Sequence, residues 1–273
     1  EIDTLQITSG KFNNFSLSPN GDYVLYRKYD EPGLFQYDVK RQVSSLVDKQ
    51  GGMNIWSRDG KSITYGLWDG TYHYIVDRSI DGVSIDTLVK SKSYSGPYSW
   101  SYDKRYLIYV YLNENSIRDL MYIDRSHPDR QPQVLSNQPV HEIFGDFNPD
   151  GSYFVYQTDE VMIQPFPPNG QRIKVSQVGG GEPFWINGGK EIVYFNQSES
   201  KMMSVAVNTK NGLQLGTPEL LWQKPYLDVP GRAYSVSPDG NTFLMKKSLE
   251  SEHVRDRLFV VENWMTEVMA VTN

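Results

Sequence analysis

Six tight turns of one kind, spread along the chain, constrain the fold more than any other feature. They are Ser18-Pro-Asn-Gly21, Ser57-Arg-Asp-Gly60, Ser101-Tyr-Asp-Lys104, Asn148-Pro-Asp-Gly151, Ile186-Asn-Gly-Gly189 and Ser237-Pro-Asp-Gly240. Proline presets φ for the first turn position, and glycine supplies the positive φ that closes a hairpin. A bulky or β-branched apolar residue precedes each turn: Leu17, Trp56, Trp100, Phe147, Trp185 and Val236. Nine positions later stand Tyr26, Tyr65, Tyr109, Tyr156, Tyr194 and Met245. The turns begin 38 to 51 residues apart, the period of a four-stranded propeller blade.

These repeats predict an all-β fold: a six-bladed β-propeller of four-stranded antiparallel blades. The blades are expected at about 10–48, 49–92, 93–136, 137–177, 178–226 and 227–264, forming one domain over 1–273. A type I turn with glycine in the bulge position would set the pre-turn residue and the later tyrosine on opposite faces of a sheet. Each blade would then present one bulky group to each neighbour. A β-sandwich would show polar alternation on one face, whereas Tyr106-Leu-Ile-Tyr-Val-Tyr-Leu112 is apolar on both. The last repeat lacks an outer strand and the segment 3–8 has no repeat of its own. That segment is expected to complete the last blade, close the ring and remove two exposed sheet edges.

Composition bounds function loosely. The net charge of −6 argues against nucleic acid as a partner, since phosphate binding needs clustered Lys and Arg. Without cysteine there is neither disulfide nor thiol chemistry. No apolar run approaches the roughly 18 residues of a membrane span, so no membrane insertion is expected of this chain. It begins at Glu1, which suggests a processed or excised fragment whose anchor lies outside it.

Residues 163–267 carry a more specific signal. They read Ile-Gln-Pro-Phe-Pro-Pro-Asn-Gly, Val-Gly-Gly-Gly-Glu-Pro-Phe-Trp, Met-Met-Ser-Val-Ala-Val, Gly-Thr-Pro-Glu-Leu-Leu-Trp, Tyr-Ser-Val-Ser-Pro-Asp-Gly and Leu-Phe-Val-Val-Glu-Asn-Trp. This resembles the TolB-like, WD40-like propeller at the C-terminus of bacterial membrane-anchored regulators, among them CadC-type activators and receptor-like Ser/Thr kinases. Residues 1–160 share only the general turn repeat. The turn at 186–189 lacks the Asp and that at 101–104 lacks the Gly. The resemblance implies a periplasmic or extracellular domain that senses a ligand or docks a protein, with signalling done elsewhere. It brings no fixed catalytic residues.

The residues themselves offer little chemistry. The four histidines, His73, His127, His141 and His253, fall in no His-Glu-x-x-His or other metal-ligand spacing. There is no Gly-x-Ser-x-Gly nucleophile elbow. Val178-Gly-Gly-Gly-Glu182 lacks the Gly-Lys-Ser/Thr ending of a phosphate loop and reads as a connection between blades. No catalytic residue, metal ligand or cofactor is therefore expected. What remains is the central channel, whose mouth is ringed by the loops leading into the inner strands. Asn14, Asn54, Tyr98, Asp146, Glu182, Arg232 and Tyr234 are expected there, as a polar ring suited to a protein, peptide or small polar ligand. Two alternatives stay open: an accessory propeller of a prolyl-oligopeptidase-type peptidase, and a propeller enzyme with a metal site in its tunnel.

Overall fold

The computed structural model describes residues 2–5, 12–28, 31–223, 231–247 and 257–262. The expected turns form with one shared set of bonds. In the first, the Gly21 N–H donates to the Ser18 carbonyl at 2.9 Å and the Ser18 N–H to the Tyr23 carbonyl at 2.8 Å. Ser18 Oγ then donates to Asn20 Oδ1 at 2.8 Å and accepts from the Tyr23 N–H at 2.9 Å. Ser57–Asp59, Ser101–Asp103 and Ser237–Asp239 repeat the side-chain bond at 2.6, 2.6 and 2.5 Å. Ser or Asn at the first position and Asp or Asn at the third are therefore paired by one side-chain bond within the same turn. Lys104 replaces the glycine yet takes the same left-handed conformation, φ 58°. The turn without an Asp folds instead as a short 3-10 turn, Asn187–Gly189, with all three residues at positive φ.

Each turn joins an inner strand to a second strand, and hairpins extend these into antiparallel sheets. The inner strands are Phe12–Leu17, Asn54–Trp56, Ser95–Trp100, Ile143–Phe147, Gly181–Ile186 and Tyr234–Val236. We number the sheets one to six by these strands. The expectation of six alike four-stranded blades is corrected: five four-stranded blades form, and the fifth sheet departs from the plan with five strands. Its outer position is divided between Gln214–Leu215 and Glu219–Gln223, both paired with Lys201–Asn208. Gly216-Thr-Pro218 separates the two pieces, and proline cannot donate to a ladder. In the sixth sheet, Ile2–Leu5 pairs antiparallel with Arg257–Glu262, from Ile2 opposite Val261 to Leu5 opposite Leu258. Residues 6–8, the tail 265–273 and His253 lie outside the described residues.

The apolar clusters occupy the gaps between consecutive sheets. Leu17, Val24 and Tyr26 of the first sheet pack on Leu244 and Ala233 of the sixth. Trp56, Ile63 and Tyr65 of the second pack on Leu25 and Leu34 of the first. Trp100, Leu107 and Tyr109 likewise meet Ile75 and Val89 of the second. The pattern continues around the ring.

One expectation fails here. The pre-turn residue and the later tyrosine lie on the same face, not on opposite faces. Leu17 pairs with Val24, Trp56 with Ile63 and Trp100 with Leu107, seven positions on in each case. Cross-strand partners share a face, and so does the residue two beyond, which is the tyrosine. The opposite face is supplied by the intervening residue, such as Leu25, Ile108, Val155 or Val193.

Candidate functional site

The inner strands converge on the axis, and four of them carry an irregularity near the mouth. The pairing register shifts between Asn13 and Ser16, Pro97 and Ser99, Ile143 and Asp146, and Gly181 and Phe184. Asn14, Phe144 and Glu182 occupy equivalent positions in these bulges, four residues before the turn, with φ of 47°, 57° and 55°. A bulge re-aims side chains at the end of a strand. Here it directs them at the neighbouring sheet as well as the axis.

Of the expected ring, Asn14, Asn54, Tyr98, Asp146 and Arg232 line one axial cavity of about 130 Å³. Pockets that take small molecules usually run from about 300 to 1,000 Å³. Most of these side chains are also committed to holding sheets together. Asn54 donates to the Asn14 carbonyl at 2.5 Å and accepts from Ser16 Oγ at 2.7 Å, joining the second sheet to the first. Asp146 accepts from Ser99 Oγ at 2.7 Å and from the Trp185 N–H at 2.9 Å, linking the third, fourth and fifth sheets. Ser99 and Ser235, at the equivalent position in their strands, accept from the N–H of Phe147 and Leu17. At the third–fourth, fourth–fifth and sixth–first joints a side chain thus satisfies a backbone donor in the next sheet.

Glu182 and Tyr234 stand apart from the axial cavity. Glu182 Oε2 accepts from the Ala233 N–H at 2.6 Å, and its own carbonyl accepts from the Tyr234 hydroxyl at 2.6 Å. Tyr234 is wholly buried, and burial, reinforced by Glu182, holds its hydroxyl well above the usual tyrosine pKa. Glu182 borders a second cleft of about 440 Å³, with Gln157, Gly180, Gly181 and Asn196. Gly180 belongs to the connection into the fifth sheet; its φ is 133°, and a Cβ there would fall 2.6 Å from the Tyr194 ring. Close approach of backbone to ring accounts for this glycine.

Arg232 is different. Its guanidinium lies 3.9 Å from the centroid of the Phe184 ring and 5.1 Å from that of Phe144. Its hydrogen bonds, to the carbonyls of Pro183 and Phe144, are both long at 3.4 Å. Burial lowers its pKa, with Asp146 and Glu182 pulling the other way. Arg58, at the second turn position of the second sheet, closes the opposite end of the axis. It donates to the Phe147 carbonyl at 2.8 Å and lies 3.5 Å from Asp146. Sequence reasoning missed Arg58, although it replaces the proline found there in three of the other turns.

Sequence reasoning also missed an aromatic shelf beside the mouth. Trp68 ends the second strand of the second sheet, three residues beyond Tyr65, the partner of Asn54. Trp68 stacks on His73 with centroids 6.2 Å apart, and His73 meets the edge of Tyr94 at 5.6 Å. The Tyr94 hydroxyl lies 3.7 Å from Met53 Sδ, and Met53 lines the axial cavity. Trp68 is 57% exposed and Tyr94 38%. Among the described residues, no three or more His, Cys, Asp or Glu side chains gather as a metal-ligand group.

Comparison with known proteins bears on the fold. No family model matches the chain, and no curated protein matches it by sequence. Among solved structures, TolB from Acinetobacter baumannii superposes with a TM-score of 0.63 at 17% identity, over 92% of this chain and 63% of that one. A putative TolB from Agrobacterium tumefaciens gives 0.64 at 15% identity over 96% of both chains. The fold is that of a TolB-like β-propeller. An oligogalacturonate lyase in complex with manganese is similar too, with a TM-score of 0.61 at 12% identity over 96% of both chains. The chain thus spans less than two thirds of the A. baumannii protein, and its likeness extends to both an enzyme and TolB proteins. No helix among the described residues is long and apolar enough to cross a membrane.

Proposed function

We propose that this chain is a non-enzymatic binding domain that takes a protein or peptide at the mouth of its propeller. The observation that carries this reading is the Trp68–His73–Tyr94 shelf, exposed and continuous through Met53 with the axial cavity. The cavity alone, at about 130 Å³, has room for a side chain or a few waters. The shelf adds the flat aromatic area that protein interfaces favour. Asn14, Asn54, Tyr98, Asp146 and Arg232 would then form the floor of the site, and Glu182 and Tyr234 its support. In this reading 1–273 is a single domain. It is the extracytoplasmic part of a bacterial signalling or transcriptional regulator, anchored to the membrane by a segment outside this chain; the TolB-like fold and the repeat signature over 163–267 support that setting. A second reading, a propeller enzyme with a metal site in its tunnel, draws support from the similar oligogalacturonate lyase in complex with manganese.

A thermal-shift screen over peptides, sugars and divalent metals separates the two. A peptide at 100 times its Kd contributes about 2.7 kcal/mol, which raises the midpoint by roughly 5–10 °C for a domain of this size. Loss of that shift in Trp68→Ala and Tyr94→Ala is the expected result. Cleavage of oligogalacturonate in the presence of manganese would overturn the proposal.

A further inference from the structure

The mouth carries a charge pattern that the overall balance of the chain conceals. Arg27 pairs with Asn13 across the first sheet, Arg118 opens the third strand of the third sheet, and Arg232 leads into the inner strand of the sixth. These positions all lie at the mouth end of their strands. None of the ion pairs formed among the described residues includes any of the three. Arg27 and Arg118 are exposed. The two share a neighbourhood: the positive fields of both act on the Tyr94 hydroxyl, and those of Arg232 and Arg118 on Tyr98. Backbone geometry agrees, since Arg118 pairs with Leu112, whose N–H donates to the Tyr94 carbonyl at 3.0 Å.

Several acidic groups on this side are already occupied. Glu31 pairs with Lys28, and Glu160 with Lys174. Asp69 accepts from the N–H groups of Thr71 and Tyr72 and from the Tyr74 hydroxyl. Glu142 is buried and bonded to Ser136 and the Gln138 N–H. Glu114 and Asp159 remain exposed at the rim. In a chain of net charge −6, two exposed arginines, Arg27 and Arg118, that form no ion pair among the described residues stand beside one aromatic shelf, a surface complementary to acidic groups.

We propose that the occupant of the mouth is an acidic peptide segment carrying an aromatic or apolar side chain. Its carboxylates pair with Arg27 and Arg118, and its apolar side chain lies on Trp68 and Tyr94. Arg232 and its phenylalanine sandwich form the floor. The inference rests on the binding reading above and names the chemistry of its partner.

Panning a phage-displayed heptapeptide library against the whole chain tests it, with the enriched peptides then synthesised and titrated by fluorescence anisotropy. Enriched sequences should carry net negative charge. Their affinity should fall at least about tenfold in Arg27→Glu/Arg118→Glu, and by a similar factor between low and high salt. Lys190→Glu, which makes a like charge change at the opposite, turn end of the fifth sheet, should leave affinity unchanged. Peptides that bind without charge bias, or that ignore the arginine substitutions, would overturn this inference and leave the peptide-binding reading standing. No enriched peptide at all would overturn both.

Discussion

Replacing Asp146 by alanine tests whether the axial polar groups serve cohesion before they serve a ligand. The Asp146 carboxylate, 10% exposed, receives the Ser99 hydroxyl, the Trp185 N–H and, at 3.5 Å, the Arg58 guanidinium. Truncation orphans the buried Trp185 N–H, at about 1–3 kcal/mol. It also leaves Arg58 without the one carboxylate it pairs with among the described residues. Breaking a buried pair in this way typically costs about 3–5 kcal/mol, a figure that already includes orphaned partners. Because Arg58 is 21% exposed and keeps the carbonyls of Trp100 and Phe147, we expect a total of about 3 kcal/mol. With a urea m-value of about 3 kcal/mol/M, the unfolding midpoint would fall by roughly 1 M. Asp146→Asn, which keeps one acceptor oxygen, should lose about half as much. Urea titration followed by tryptophan fluorescence reads both. A loss below about 0.5 kcal/mol for the alanine variant would refute the argument, and would return Asp146 to the role of a free ligand contact.

Three further perturbations probe other parts of the fold. Asp124 accepts Nε and the terminal nitrogen of Arg105 at 3.0 and 2.7 Å, and these bonds, helped by Ser126, hold its pKa well below the usual carboxylate range. That contribution is complete above the unfolded value near 3.9 and is lost as pH falls from there toward the folded value. Asp124→Asn should therefore cost about 1–2 kcal/mol at pH 7 and progressively less below pH 4, by urea midpoints at both. Gly21→Ala and Gly240→Ala share the left-handed strain, with φ of 76° and 74°, but a Cβ on Gly21 meets open space while one on Gly240 falls 2.7 Å from Ile186. The first should cost about 1 kcal/mol and the second about 2 or more, and equal losses would contradict the packing described. Removing residues 1–5 strips the outer strand from Arg257–Glu262 and should lower the thermal midpoint by about 5–10 °C and promote association on size-exclusion chromatography. An unchanged midpoint would show that the pairing contributes nothing to closure.

The repeat was legible in the sequence because a tight turn is a local object. Ser, Pro, Asp and Gly act within five residues of one another, so Ser237-Pro-Asp-Gly240 fixes its hairpin wherever it sits. The period then fixes the sheets, and the shortage of strands after Thr242–Lys247 points to the N-terminus as the missing edge. Register was less accessible. Placing Leu17 and Tyr26 on one face depends on counting from the paired residues, Leu17 and Val24, which the turn type alone leaves open. The division of the fifth sheet's outer edge depends likewise on how Gly216-Thr-Pro218 meets its neighbour.

The site was legible only as a ring of positions. Sequence gives the residues that open each inner strand, and it finds Asn14, Asn54, Tyr98, Asp146 and Arg232 around the axis. It cannot give their partners, because these come from other sheets, 38 to 88 residues away in the chain. Tertiary structure decides that Asp146 is bonded inward and that Arg232 lies against two rings. It also sets Trp68, His73 and Tyr94, drawn from three separate segments, side by side. A turn is specified by neighbours in the chain, whereas a binding face is specified by the closure that brings distant strands to one end.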